Sequence, residues 1–160
     1  MADGSVAVGT DRADKLADAL AEREADVLLV TDLVNVRWLT GFTGSSGAAV
    51  VGREGTRRFV TDFRYLTQSA EQLDPAWERE IAVDLLAGVA KGLPGSGELK
   101  LAFEDAHMSV KDHGRLSGML RAGIELVPAG NTVEAPGRVT AGHAIGAPEL
   151  LSAVRELCAP

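Results

Sequence analysis

Between Asp11 and Glu24 the apolar positions Ala13, Leu16, Ala17 and Leu20 recur at helical spacing with charges between them, which predicts a helix with one stripe turned to a core. Thr10 or Asp11 is placed to cap its first turn. Val27 to Val30 is an unbroken apolar run, β-branched at both ends, and reads as a strand buried on both faces. Ala48–Val51 and Arg57–Thr61 are two further strands, and the polar link Gly52-Arg53-Glu54-Gly55 is of hairpin length, so antiparallel pairing is expected. Asp62 can cap a helix from Phe63 to Gln72 that ends before Asp74-Pro75. Trp77 to Ile81 alternates apolar and charged residues as an edge strand does.

A short helix, Leu85 to Lys91, precedes the loop Gly92 to Gly97 and a strand from Leu99 to Phe103. Ser109, with Asp112 in its first turn, starts a helix predicted to run to Ala122 with Gly123 just past its end, and Ile124 to Val127 is the last strand. Gly114 and Gly118 each weaken that helix by about 1 kcal/mol relative to alanine, so either another element packs closely there or the helix is marginal. The order of elements predicts an α/β domain, a mixed sheet of five to six strands flanked by helices.

At 160 residues, 46% apolar and 24% charged, the chain has the size and composition of one globular domain. A formal net charge of -7 repels phosphate backbones and anionic lipid, so neither nucleic acid nor a membrane surface is an expected partner. The one cysteine, Cys158, excludes an intrachain disulfide, and residues 1–10 read as a flexible leader without the features of a secretory signal. No stretch approaches the ~20 apolar residues that cross a bilayer, so a cytoplasmic protein is expected. Residues 11–134 form the predicted domain and 135–160 a tail. In that tail Pro136, Gly137, Gly142, Gly146 and Pro148 interrupt any helix until Glu149, after which Leu150, Leu151, Val154 and Leu157 can line one face of a short one.

Asn35, Trp38, Leu39, Thr40, Gly41, Phe42 and Gly44, then Thr61-Asp62 with Arg64-Tyr65, then Phe103-Glu104, then Leu126-Val127 follow one another in order between Arg12 and Glu134. In this the chain resembles the amino-terminal domain of the creatinase and Xaa-Pro peptidase family (prolidase, aminopeptidase P), a ribonuclease H-like fold. The resemblance implies a two-domain metallopeptidase, a hydrolase acting on a bond before proline, or a relative such as creatinase. The family's pita-bread catalytic domain holds, in the peptidases, two divalent metal ions through two aspartates, one histidine and two glutamates. After Glu134 this sequence offers His143, Glu149 and Glu156 but no aspartate. The ions are therefore expected only in a catalytic domain that these residues do not supply, and residues 135–160 read as the vestige of a linker to it.

By the same resemblance, no catalytic residue and no metal or cofactor site is expected in this chain, and no peptidase activity of its own. Its expected work is oligomer assembly, as a homodimer or with a catalytic-domain partner, and restriction of substrate access. The candidate access and interface residues are Trp38, Phe42, Ser45, Ser46, Arg64 and Tyr65.

The residues themselves leave alternatives open. Gly41, Gly44 and Gly47 could bring backbone N–H groups to an anion, which would make the chain a stand-alone small-ligand module. A strand follows that loop, however, where a phosphate site has a helix amino terminus or a lysine, so a tight turn is the competing reading. Trp38 and Phe42 fit core packing or an exposed interface anchor. Asp62, Arg64 and Tyr65 have the look of a catalytic cluster, but a cap at Asp62 and an ion pair of Arg64 with Asp62 or Glu104 explain them without chemistry. His107 and His113 lack the spacing of a helical metal pair, and no Gly-X-Ser-X-Gly elbow supports a serine nucleophile. Cys158 reads as an apolar helix residue.

Overall fold

The computed structural model describes residues 4–22 and 24–129. Helix α1 (Gly4–Glu22) leads into strand β1 (Val27–Val30), helix α2 (Leu33–Thr40) and the hairpin of β2 (Ala48–Gly52) and β3 (Arg57–Thr61). A single 3-10 turn, Phe63–Tyr65, runs into α3 (Leu66–Gln72). Then come β4 (Glu78–Ile81), α4 (Leu85–Lys91), β5 (Leu99–Phe103), α5 (Val110–Met119) and β6 (Ile124–Pro128).

The strands form a six-stranded sheet in the order β4-β3-β2-β1-β5-β6. β2 is antiparallel to both its neighbours and the other pairs are parallel, so the sheet is mixed as expected. Period-two alternation divides β1 between two cores. Leu28 and Val30 pack with Ala13, Leu16 and Leu20 of α1 and with Val36 and Leu39 of α2. Val27 and Leu29 pack on the other face with Leu86 and Val89 of α4 and Leu116 of α5. Burial on both faces is why β1 has no polar position.

Beyond one-residue differences at β2, β4 and β6, the structure departs from the sequence reading in four places. Helix α1 begins at Gly4 rather than Asp11, so residues 4–10, expected as a leader, have helical backbone. Helix α2 was not expected at all. Its start is fixed by Asp32, whose side chain accepts from the Val34 N–H at 3.0 Å, and its end by Gly41 at φ 82° with its N–H on the Arg37 carbonyl. The segment after Asp62 opens as a 3-10 turn because the Asp62 carboxylate takes the Arg64 N–H, and Tyr65 at ψ 19° separates that turn from α3.

Helix α5 stops at Met119 instead of Ala122. Arg121 accounts for this: its guanidinium donates to the carbonyls of Pro94 (2.7 Å), Ser96 (2.9 Å) and Gly97 (2.8 Å), which holds the chain in a turn across the preceding loop. The short helix expected after Pro148, with His143 and Cys158, lies outside the described residues.

Gly114 and Gly118 settle one open alternative, since a methyl group built on either meets nothing within 4 Å. They loosen the helix without admitting a neighbour. Gly114→Ala should therefore raise the stability measured by urea unfolding by about 0.5–1 kcal/mol. Gly41→Ala, at its positive φ, should lower it by about 1 kcal/mol or more.

Candidate functional site

Because β1, β3, β4, β5 and β6 run one way and β2 the other, the carboxyl ends of the five strands share an edge with the amino end of β2. Every candidate residue after Thr40 lies on a connection at this edge. In open α/β sheets this is also where ligands bind, in the crevice where successive connections diverge. Here that crevice lies between β1, whose helix α2 covers one face, and β5, whose helix α5 covers the other.

A side chain of the protein itself fills it. Glu104, only 4% exposed, accepts from the backbone N–H groups of Thr31 (2.6 Å) and Asp32 (2.9 Å) through Oε1 and from Asn35 Nδ2 (2.6 Å) through Oε2. Glu104 is thus committed to the start of α2, and Arg64 pairs with Asp62 alone of the two partners considered. The clue in the sequence was an acidic residue directly after the apolar run Leu101-Ala102-Phe103 that closes β5.

The second group surrounds the loop from Gly41 to Gly47. Arg64 donates to Asp62 through Nε (2.9 Å) and Nη2 (2.8 Å), while its own N–H bonds Asp62 Oδ1 at 3.0 Å. The Arg64 side-chain hydrogen bonds hold the Asp62 carboxyl well below the usual carboxylate range, and the same bonds raise Arg64. The Arg64 guanidinium carbon lies 5.3 Å from the Tyr65 ring centre. The Tyr65 hydroxyl accepts the Ser45 N–H at 3.1 Å and shares a short hydrogen bond with the Ser45 hydroxyl. These two bonds, the side-chain one first, pull the Tyr65 phenol below its ordinary value.

The loop is braced along its length. Thr43 N–H donates to Gln72 Oε1 (3.0 Å), Gln72 Nε2 donates to the Thr43 hydroxyl (2.9 Å), and the Thr61 hydroxyl donates to the Ser46 carbonyl (2.6 Å). Gly44 and Gly47 permit close packing on rings: an added Cβ would come within 2.3 Å of Phe42 Cζ at Gly44 and 2.8 Å of Phe59 Cζ at Gly47. Of the loop's backbone donors, the N–H groups of Gly41, Thr43 and Ser45 are already taken by Arg37, Gln72 and Tyr65, which leaves fewer for an anion.

The candidates therefore separate. Ser45 is exposed and Ser46 half-buried beside Arg64, whose side chain is 58% exposed, and half-buried Tyr65. Phe42 is withdrawn: it is 1% exposed, 4.8 Å from the Phe59 ring and edge-on to Tyr65 at 5.3 Å, so it is a core ring and not an exposed anchor. Trp38 is half-buried, with the Arg12 guanidinium 4.8 Å from its ring centre and donating to its carbonyl at 2.6 Å. His107 and His113 do not meet; the first is 3.9 Å from Asp32 and the second lies against Phe103 at 5.0 Å. Among the described residues no three His, Cys, Asp or Glu side chains converge to hold a metal ion, so no chemical step through one is derived from this chain.

Sequence reasoning missed one feature. Several large apolar side chains stand in solvent on the connections leaving this edge: Val34 (68% exposed), Phe63 (74%), Val83 (100%) and Val110 (91%). The signal was local, since each adjoins or lies two residues from a helix cap, where a polar residue would otherwise serve.

Comparison with known proteins identifies the family of the domain. The sequence profile of the Creatinase/Prolidase N-terminal domain matches residues 12–136. A Bacillus subtilis protein named as an uncharacterized peptidase, YqhT, is 33% identical over 121 residues, which are 76% of this chain and 34% of that protein. The chain thus spans about a third of that relative's length. The crystal structure of a Creatinase/Prolidase-like N-terminal domain from Corynebacterium diphtheriae superposes with a TM-score of 0.70 at 32% identity, over 75% of this chain and 94% of that one. The N-terminal domain of the cytoplasmic peptidase PepQ of Mycobacterium tuberculosis H37Rv gives 0.68 at 40% identity, over 77% and 95%.

Two expectations follow from the brace. Tyr65 is the one tyrosine in the chain, so the ultraviolet absorbance of its phenolate reports it alone. It should titrate below the ordinary ~10, and Ser45→Ala should move the midpoint upward. For Asp62 the folded carboxyl is depressed, so its contribution to stability is complete above the unfolded value and lost as pH falls toward the folded one. The stability gap between the protein and Asp62→Asn, which keeps a capping oxygen, should be constant from pH ~7 to ~5 and shrink progressively in stronger acid; denaturant unfolding from neutral pH into acid measures it.

Proposed function

The chain belongs to the creatinase/prolidase N-terminal domain family, and from that premise we propose that it works as the non-catalytic amino-terminal domain of an Xaa-Pro peptidase homologue. Its role is to assemble, with a second copy or with a catalytic domain, and to narrow the entrance to a metallopeptidase active site. The observation that carries this reading is the edge itself, where Phe63, Val83, Val110 and Val34 stand exposed on the connections that follow four strands and a braced loop presents Ser45. Apolar side chains standing in water lose free energy when a partner covers them, and a loop already held in one shape docks with little further ordering.

Access is narrowed by shape and hydrogen bonding, which is all this edge offers. Ser45 and Tyr65 present hydroxyls and Arg64 a guanidinium whose orientation Asp62 fixes, while Trp38 packs behind the loop at half burial. The compartment we assign is the cytoplasm, in keeping with a single cysteine and with the description of the M. tuberculosis neighbour as a cytoplasmic peptidase. No helix among the described residues is long and apolar enough to cross a membrane.

Two measurements test the reading together. The chain should release no amino-terminal residue from an Xaa-Pro peptide with manganese, cobalt or zinc present, and metal-dependent release by the pure chain would overturn the non-catalytic role. In sedimentation the chain should self-associate or bind a catalytic partner, and the double variant Phe63→Ser, Val83→Ser should do so about tenfold more weakly. A chain that stays monomeric and takes no partner refutes the assembly role.

A further inference from the structure

We infer that the cavity between the amino-terminal ends of α4 and α5 is a socket for a protein segment presenting aliphatic side chains flanked by arginine or lysine. The inference rests on the docking role proposed above and adds the chemistry of what sits at that edge. The cavity is an open depression of about 590 Å³.

Its apolar lining comes from Ala48 at the start of β2, Leu85 and Leu86 of α4, and Met108. Val83, fully in solvent, stands among the same lining residues, and Val110 at the first turn of α5 is 91% exposed nearby in sequence. Thr31 also lines the cavity, and its shielded hydroxyl has no hydrogen-bond partner among the described residues. The lining can therefore take aliphatic groups, and it retains one unused polar atom.

Charge selects the occupant. Arg115 is shared between Asp84 and Asp112, the second at 3.3 Å, so one guanidinium serves two carboxylates. The carboxylate of Asp32, which caps α2, lies outside the lining but 3.9 Å from the lining residue His107. Among the lining residues, two carboxylates (Asp84, Asp112) stand against one guanidinium (Arg115), which leaves the wall with an excess of acidic groups. The chain's net charge of -7 adds a field of the same sign around the cavity. A segment with cationic flanks gains both from the wall and from the field of the whole chain.

Three blocked peptides of one length provide the test: Arg-Leu-Leu-Arg, Glu-Leu-Leu-Glu and Arg-Ser-Ser-Arg, each acetylated and amidated. Methyl resonances of Val83, Leu86 and Met108 should shift with the first peptide at least about tenfold more tightly than with the other two, and added salt should weaken the binding. Val83→Ser and Asp112→Lys, both at exposed or half-exposed positions and checked for fold by circular dichroism, should each weaken it about tenfold. Equal response to all three peptides, no response to any, or shifts confined to methyls away from this cavity would overturn the socket. Self-association of the chain without uptake of the arginine peptide would overturn the socket while leaving the docking role standing. Uptake by a chain that stays monomeric would support the socket even where assembly fails.

Discussion

Glu104 gives both carboxylate oxygens to the start of α2, taking the N–H groups of Thr31 and Asp32 and the amide of Asn35 from a position 4% exposed. A buried carboxylate is costly unless donors surround it, and here three do. The bonds join the end of β5 to the end of β1 across the crevice at the centre of the sheet. They set where Asp32 can cap and therefore where α2 begins. From that start the stripe of Val36 and Leu39 meets the α1 face of the sheet, and the helix ends at Gly41 where the braced loop starts. The same carboxylate closes the place where an α/β sheet would otherwise receive a small ligand.

Beyond Gly41 the loop depends on rings. Phe42 fills the space between Phe59 and Tyr65, and the Tyr65 ring carries its hydroxyl out to Ser45. One aromatic cluster thus connects the core to an exposed serine. Gly44 and Gly47 are required because the rings lie where side chains would begin. A loop supported from the core in this way keeps its shape before a partner arrives, which is the condition for docking at low entropic cost.

The parts of the fold legible in the sequence were those governed by periodicity. β1, the hairpin of β2 and β3, the edge strand β4 and the closing strand β6 all repeat a local pattern. Helix α2 escaped because it is eight residues long, with Asn35 and Arg37 between Val34, Val36 and Trp38, a spacing that suits a strand as well. Asp32 before it and Gly41 after it carried the information, as a cap at each end. The Asp62 and Arg64 pairing was legible because both partners lie within one turn. The Glu104 tie to Asn35 and the Gln72 tie to Thr43 were not, since each joins residues distant in sequence through geometry that only the sheet order creates.

The electrostatics of the edge bear on what kind of work it does. A general acid or base is most effective when its pKa lies near the operating pH, so a catalytic carboxyl is expected to be pushed toward neutrality. Asp62 is driven the other way by the Arg64 hydrogen bonds, and the same bonds raise Arg64, so each group fixes the other in its charged form. Tyr65 is lowered by Ser45, but its hydroxyl is spent on Ser45 and supports the loop. Asp62 and Arg64 therefore behave as a brace locked in its charged state. A rigid, charge-locked edge bordered by exposed aliphatic side chains is suited to being covered, and the acidic wall beside Val83 gives that covering a preferred sign.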